Sequence, residues 1–111
     1  MEENTPTVEE GKNIAIIAYI TIIGLIIAFV MNNDKKNPFA SFHIRQMLGI
    51  TLLGIALVIV MSLINIYILG LVVNLFIVVL WVLGLIAAIQ GQKKPIPLLG
   101  DQFQLWFKNI G

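Results

Sequence analysis

The chain has 111 residues, of which 59% are apolar and only 12% charged. An average soluble domain is about 25% charged, and a chain this short has too much surface to hide the shortfall, so the composition places it in a membrane. A net charge of +1 without a long basic tract argues against nucleic acid as a partner, and the absence of cysteine excludes disulfides, thiolate metal sites and thiol nucleophiles.

Residues 1–13 are polar, with Glu2, Glu3, Glu9 and Glu10 beside Pro6 and Gly11, and are expected to form a disordered acidic tail. These charges have the wrong sign for the basic start of a signal peptide, so none is expected. An apolar run follows over 14–31. As a helix it would be roughly 27 Å long, close to the hydrocarbon thickness of about 30 Å, and it is predicted to be the first span. Ala18, Thr21, Gly24 and Ala28 share one of its faces and offer a small-residue strip for helix packing.

A polar connection leads to the most unusual stretch, Asn37-Pro38-Phe39-Ala40-Ser41-Phe42-His43-Ile44-Arg45-Gln46. Asn37 can cap a helix with its side-chain oxygen, and Pro38 suits a first turn, where its missing N–H has no partner to lose. Phe39, Phe42 and Gln46 fall on one face of that helix, Ser41 and Arg45 on another. Two aromatics, the only His and the only Arg at the mouth of an apolar helix describe an elbow at the membrane surface.

The second span is predicted over 47–65, with Gly54 among its small residues, and the third over 71–89. One helix from 47 to 89 would be roughly 64 Å long, about twice the hydrocarbon core, so the chain must turn, and Asn65 to Gly70 is the best place. Asn74 lies just inside the third span and should face another helix, with Asn65 its natural partner across the hairpin. Trp81 is expected between helices, and Gly84 and Ala88 form a small pair for close packing. Gly91, Lys93, Lys94, Pro95 and Pro97 end the span. The segment 101–110 is amphipathic, with Leu99, Phe103, Trp106 and Ile110 opposite Asp101, Gln104 and Lys108. It is too short to cross a bilayer and is expected to lie in the interface.

The elbow motif, with Ala18-Tyr19-Ile20 before it and Gln90-Gly91 and Pro95-Ile96-Pro97-Leu98-Leu99-Gly100 after it, resembles a family of small bacterial membrane proteins of unknown function. Those proteins are described as import-component-like, for a distant similarity to the channel subunit of the chloroplast Tic translocon. The resemblance implies a role linked to protein translocation or insertion.

Residues 14–111 are therefore expected to be a single all-α membrane domain: three transmembrane helices, a cytoplasmic elbow before the second, and a C-terminal interfacial amphipathic helix. With three spans, six of the seven basic residues share one side and only Lys12 lies on the other. The positive-inside rule then puts the C-terminus in the cytoplasm and the N-terminus outside, in the bacterial cytoplasmic membrane. No catalytic constellation is present, since the single His has no carboxylate within a helical turn to orient it. No cofactor, metal or enzymatic activity is expected. Phe39, Phe42, His43, Arg45 and Gln46 are the candidate contact surface for a partner protein or lipid, because Arg and aromatics are the types enriched at binding hot spots. Gly24, Ala28, Gly54, Asn65, Asn74, Gly84 and Ala88 are the candidate packing positions. The partners implied are the bilayer and other membrane proteins or a second copy. The function expected is a non-enzymatic accessory or assembly subunit of a larger membrane complex; the alternative is a small self-associating transporter or channel.

Overall fold

The computed structural model describes residues 5–110, with side chains from Val8 onward. Among the described residues there are five helices and no strand: α1 (Thr5–Ile20), α2 (Ile22–Lys35), α3 (Pro38–Ile64), α4 (Tyr67–Ile89) and α5 (Gly100–Trp106).

The frame is the hairpin of α3 and α4. Asn37 starts α3 as its side chain predicts, its Oδ1 accepting the Ala40 N–H at 3.0 Å, with Pro38 in the first turn. At 27 residues α3 is about 40 Å long, enough to cross a bilayer and include the elbow. Asn65 ends it in the left-handed region (φ 64°), which Asn tolerates better than most residues, and its N–H reaches the Met61 carbonyl at 3.1 Å. Only Asn65 and Ile66 separate the helices, so the turn is tighter than the expected 65–70. At the far end of α4, Gly91 takes φ 73°. Its N–H bonds the Ala88 carbonyl at 3.1 Å and that of Gln92 the Ala87 carbonyl at 2.9 Å, a double closure that consumes two of the last helical carbonyls. Both helices are long and apolar enough to cross a membrane.

The first predicted span is a different object. At Thr21 the backbone swings to the extended region (φ −157°, ψ 178°), and the Thr21 hydroxyl accepts the Gly24 N–H at 3.1 Å, starting a second helix. Gly24 allows the tight return, since a Cβ there would strike the Ile17 carbonyl. The two helices then run back to back. A Cβ on Gly11 would overlap the Asn37 side chain, and one on Gly91 would touch Val8, so the start of α1 lies beside the start of α3 and the end of α4. Segment 14–31 is therefore a helical hairpin whose ends lie together, not one continuous helix. The expected tail is corrected too: from Thr5 onward it is the first part of α1, and residues 1–4 lie outside the described residues.

Packing is concentrated at the elbow end. Ile14, Ala15, Ala18 and Tyr19 of α1 are buried against Phe39, Ile44 and Met47 of α3 and Leu80 and Ala88 of α4, while α2 turns Ile23, Ile26 and Val30 outward. Gly24, Ala28, Gly84 and Ala88 are buried; Gly54 instead has open space above it, with only Ile77 at 4.0 Å from a Cβ. Beyond Thr51 the α3–α4 hairpin carries its large apolar side chains on the outside, from Leu52 to Val79, as a lipid-facing surface requires.

Helix α5 docks rather than floats. Phe103 is buried in a notch left by the missing side chain of Gly49, and Gln104 Nε2 donates to the Phe42 carbonyl at 2.7 Å. The helix stops at Trp106, so the expected run to 110 is cut short, and the inward side is Phe103 with half-buried Leu99 and Phe107 rather than Trp106, which is exposed. Filling the notch with Gly49→Val should expel Phe103 at a cost of about 1–3 kcal/mol. Limited proteolysis should then cut the variant after residue 98 far faster than the wild type, with α3 and α4 intact.

The hydrogen-bonded elbow as candidate functional site

The elbow is held by side chains that the local sequence pattern assigns to a surface. His43 and Gln46 lie one turn apart near the start of α3, and both are fully buried. His43 Nε2 lies 2.8 Å from the carbonyl oxygen of Gln92, and its Nδ1 lies 2.7 Å from the Tyr19 hydroxyl on α1. A carbonyl only accepts, so Nε2 carries the proton, and the neutral ring takes the Tyr19 O–H on Nδ1. The same hydroxyl accepts from Gln46 Nε2 at 3.0 Å, and Gln46 Oε1 accepts the Ile96 N–H at 2.8 Å. The result is one directional chain from the Ile96 amide through Gln46, Tyr19 and His43 to the Gln92 carbonyl. It joins α1, α3 and the connection after α4 in a single network. Tyr19, Phe39 and Phe42 present their rings edge-on to the imidazole at centroid distances of 5.5, 4.8 and 5.1 Å.

Two further clasps complete the elbow. Asn32, fully buried near the end of α2, donates Nδ2 to Ser41 Oγ at 2.8 Å and accepts the Asn37 N–H on Oδ1 at 2.9 Å, tying the end of α2 to the start of α3. Arg45 spreads its guanidinium over the C-terminal segment, with Nε donating to the Ile110 carbonyl at 2.7 Å and Nη2 to the Lys108 carbonyl at 2.9 Å. The planar fork of Arg, which Lys lacks, is what permits this two-point grip. Trp81 Nε1 donates to the Tyr19 carbonyl at 2.6 Å. That carbonyl is one of the four that α1 leaves without helical partners when it stops at Ile20. The indole thus sits between helices as expected, and it also stabilises the break.

Of the elbow residues singled out for partner contact, Phe39, His43 and Gln46 point inward, and Phe42 and Arg45 are half-buried. His43 and Gln46 face inward because their partners lie 24 to 50 positions away along the chain. Tyr19, Gln92, Ile96 and Gln104 belong to the site and were not foreseen in these roles. The one available signal was a tyrosine hydroxyl in an otherwise apolar stretch, which demands a partner. The expected Asn65–Asn74 pairing does not form: both side chains are exposed, and no hydrogen bond joins them. Asn65 spends its backbone on the helix end, which turns its side chain out at the loop.

Tyr19→Phe keeps the ring but removes the hydroxyl, leaving His43 Nδ1 and one Gln46 N–H without partners. Each such buried group costs about 1–3 kcal/mol. The variant should unfold at lower temperature or denaturant concentration than wild type in the same detergent, with unchanged helix content beforehand. Equal midpoints would show that the chain of bonds contributes nothing.

No curated protein and no solved structure matches the chain. The magnetosome magnetite crystal formation protein family, MamF/MmsF, matches residues 10–103. That stretch contains the elbow motif, Tyr19, Gln90-Gly91 and the Pro95–Gly100 segment, so the residues that suggested an import component carry a different kinship. The likeness to a Tic-type translocon component, and the translocation role drawn from it, are thereby corrected. From residue 10 to residue 103, the helical hairpin, both long apolar helices and the buried elbow network included, the chain belongs to the magnetosome magnetite crystal formation family.

Proposed function

We propose that the protein is a non-enzymatic integral membrane protein that acts as an accessory or assembly subunit in the membrane of a crystal-forming compartment. The family description supplies the compartment and the process. The observation that supports an organising role is the use made of polar side chains at the elbow. Tyr19, Asn32, His43 and Gln46 are all buried and are consumed in holding helices together. A conducting path, the other role the sequence allows, has less support: the groove between α3 and α4 is lined mainly by Ile, Leu, Val and Met, with Thr51, Ser62 and Asn74 as scattered polar positions.

The membrane arrangement that fits this reading has α3 and α4 as spans and α1–α2 as a hairpin entering and leaving on one side. Trp81, which meets the break between α1 and α2, lies ten residues or about 15 Å along α4 from Gly91, roughly half the depth of the hydrocarbon. No charged residue occurs from Gln46 to Gln92, and Lys12 joins the six other basic residues at the elbow end. The positive-inside rule then places both termini in the cytoplasm, in place of the opposite-sided arrangement that three spans would give.

Fluorescent fusions at either terminus test location and sidedness together in magnetite-forming cells. Both fusions should be bright, as expected of a reporter that matures only in the cytoplasm, and both should coincide with the crystal-bearing membrane. Deleting the gene should change crystal size or number while the membrane compartment persists. Uniform envelope fluorescence with unchanged crystals would contradict the proposal.

A further inference from the structure

Asn74 is the polar side chain that the fold leaves unexplained. It sits seven residues beyond Tyr67, about 10 Å along α4 from the turn, and about 22 Å from the other end of the helix at Ile89. That depth is inside the hydrocarbon. Its side chain is exposed, and among the described residues no hydrogen bond reaches its amide. In the same groove, of about 720 Å³, Thr51 Oγ1 is buried without a hydrogen-bond partner. One turn before Asn74, Gly70 has nothing within 4 Å of where a Cβ would stand. Asn74, Gly70, Ile77 and Trp81 fall on one side of α4 and line this groove.

An unpaired amide in hydrocarbon is costly, and a lipid acyl chain could fill the groove without offering it a donor or an acceptor. A second copy of the chain offers both, at the same depth by construction, because a carboxamide is self-complementary across a two-fold axis. The open surface at Gly70 is what such a crossing needs, since small residues let two membrane helices approach closely enough for interhelical hydrogen bonds. We propose that the α3–α4 groove is a homodimer interface in which α4 packs against α4 of a second copy and the two Asn74 amides pair. The elbow end is already closed by α1, α2 and α5, so this bare half of the hairpin remains for association.

The full chain lacks cysteine, so one label can be placed at Glu10, away from the groove. Donor- and acceptor-labelled protein in phosphatidylcholine vesicles should show energy transfer that rises with protein-to-lipid ratio. Asn74→Leu removes the amide and Gly70→Leu blocks close approach, so each should weaken association by about 3- to 30-fold, the range of one interhelical hydrogen bond. Asn74→Gln should retain most of the wild-type association. Separately, Ile77→Cys should cross-link between copies faster than Val72→Cys, which lies on the opposite side of α4; this readout holds even if a groove variant loses helix content. A chain that stays monomeric at every density, association unaffected by both Leu variants, or equal cross-linking at the two positions would overturn the proposal.

Discussion

The constraint on which this molecule depends is the run of hydrogen bonds from the Ile96 amide to the Gln92 carbonyl by way of Gln46, Tyr19 and His43. Its two ends are backbone groups of fixed character, a donor and an acceptor, so the direction of every bond between them is set. In a water-poor interior no substitute partner is at hand, and a half-made network costs more than an apolar core. Three separate pieces of chain must therefore meet: α1 through Tyr19, the elbow through His43 and Gln46, and the connection after α4. For Tyr19 to reach His43, α1 must lie along the first part of α3. For Asn32 to reach Ser41, α2 must return to the same place. The break at Thr21 reconciles the two demands.

The consequence is a molecule with two unlike halves. At the elbow end four helices and the α5 segment close around Tyr19 and Phe39, and the C-terminal carbonyls are gripped by Arg45. At the other end two bare helices extend with apolar side chains outward and the Asn74 amide unanswered within the apolar stretch. The first half holds the charged residues that flank the long apolar helices, and the second presents apolar surface. The organising role we propose draws on that division, because the polar residues at the elbow are spent on internal contacts.

Much of the architecture was legible in the residues. Asn37 and Pro38 mark the start of α3, the length of the apolar stretch from 47 to 89 demands a turn, and Gly91 with the prolines beyond it marks the end of α4. The first apolar segment reads as a single span for a physical reason. An eighteen-residue, predominantly apolar run is long enough to cross a bilayer, and Thr21 within it looks like one more small residue on a packing face. Its other property, a hydroxyl able to cap a new helix three residues before Gly24, becomes decisive only when Trp81 is present to satisfy the carbonyl that the break exposes. The spacing of His43 and Gln46 beside Arg45 suits a surface. Their partners are a tyrosine 24 to 27 positions earlier and backbone atoms 49 to 50 positions later, which no local spacing can display.

Residues 14–31 turn back on themselves at Thr21. The distance between spin labels at Glu10 and Asp34, measured by pulsed electron resonance on the full chain in a bilayer, reports on that turn. Both positions are exposed, so labels should not disturb the packing. A hairpin places the two labels about 10–20 Å apart, since packed helices lie 8–10 Å axis to axis. A single membrane-crossing helix would separate them by about 36 Å, the rise of 24 residues, and that distance would contradict the account.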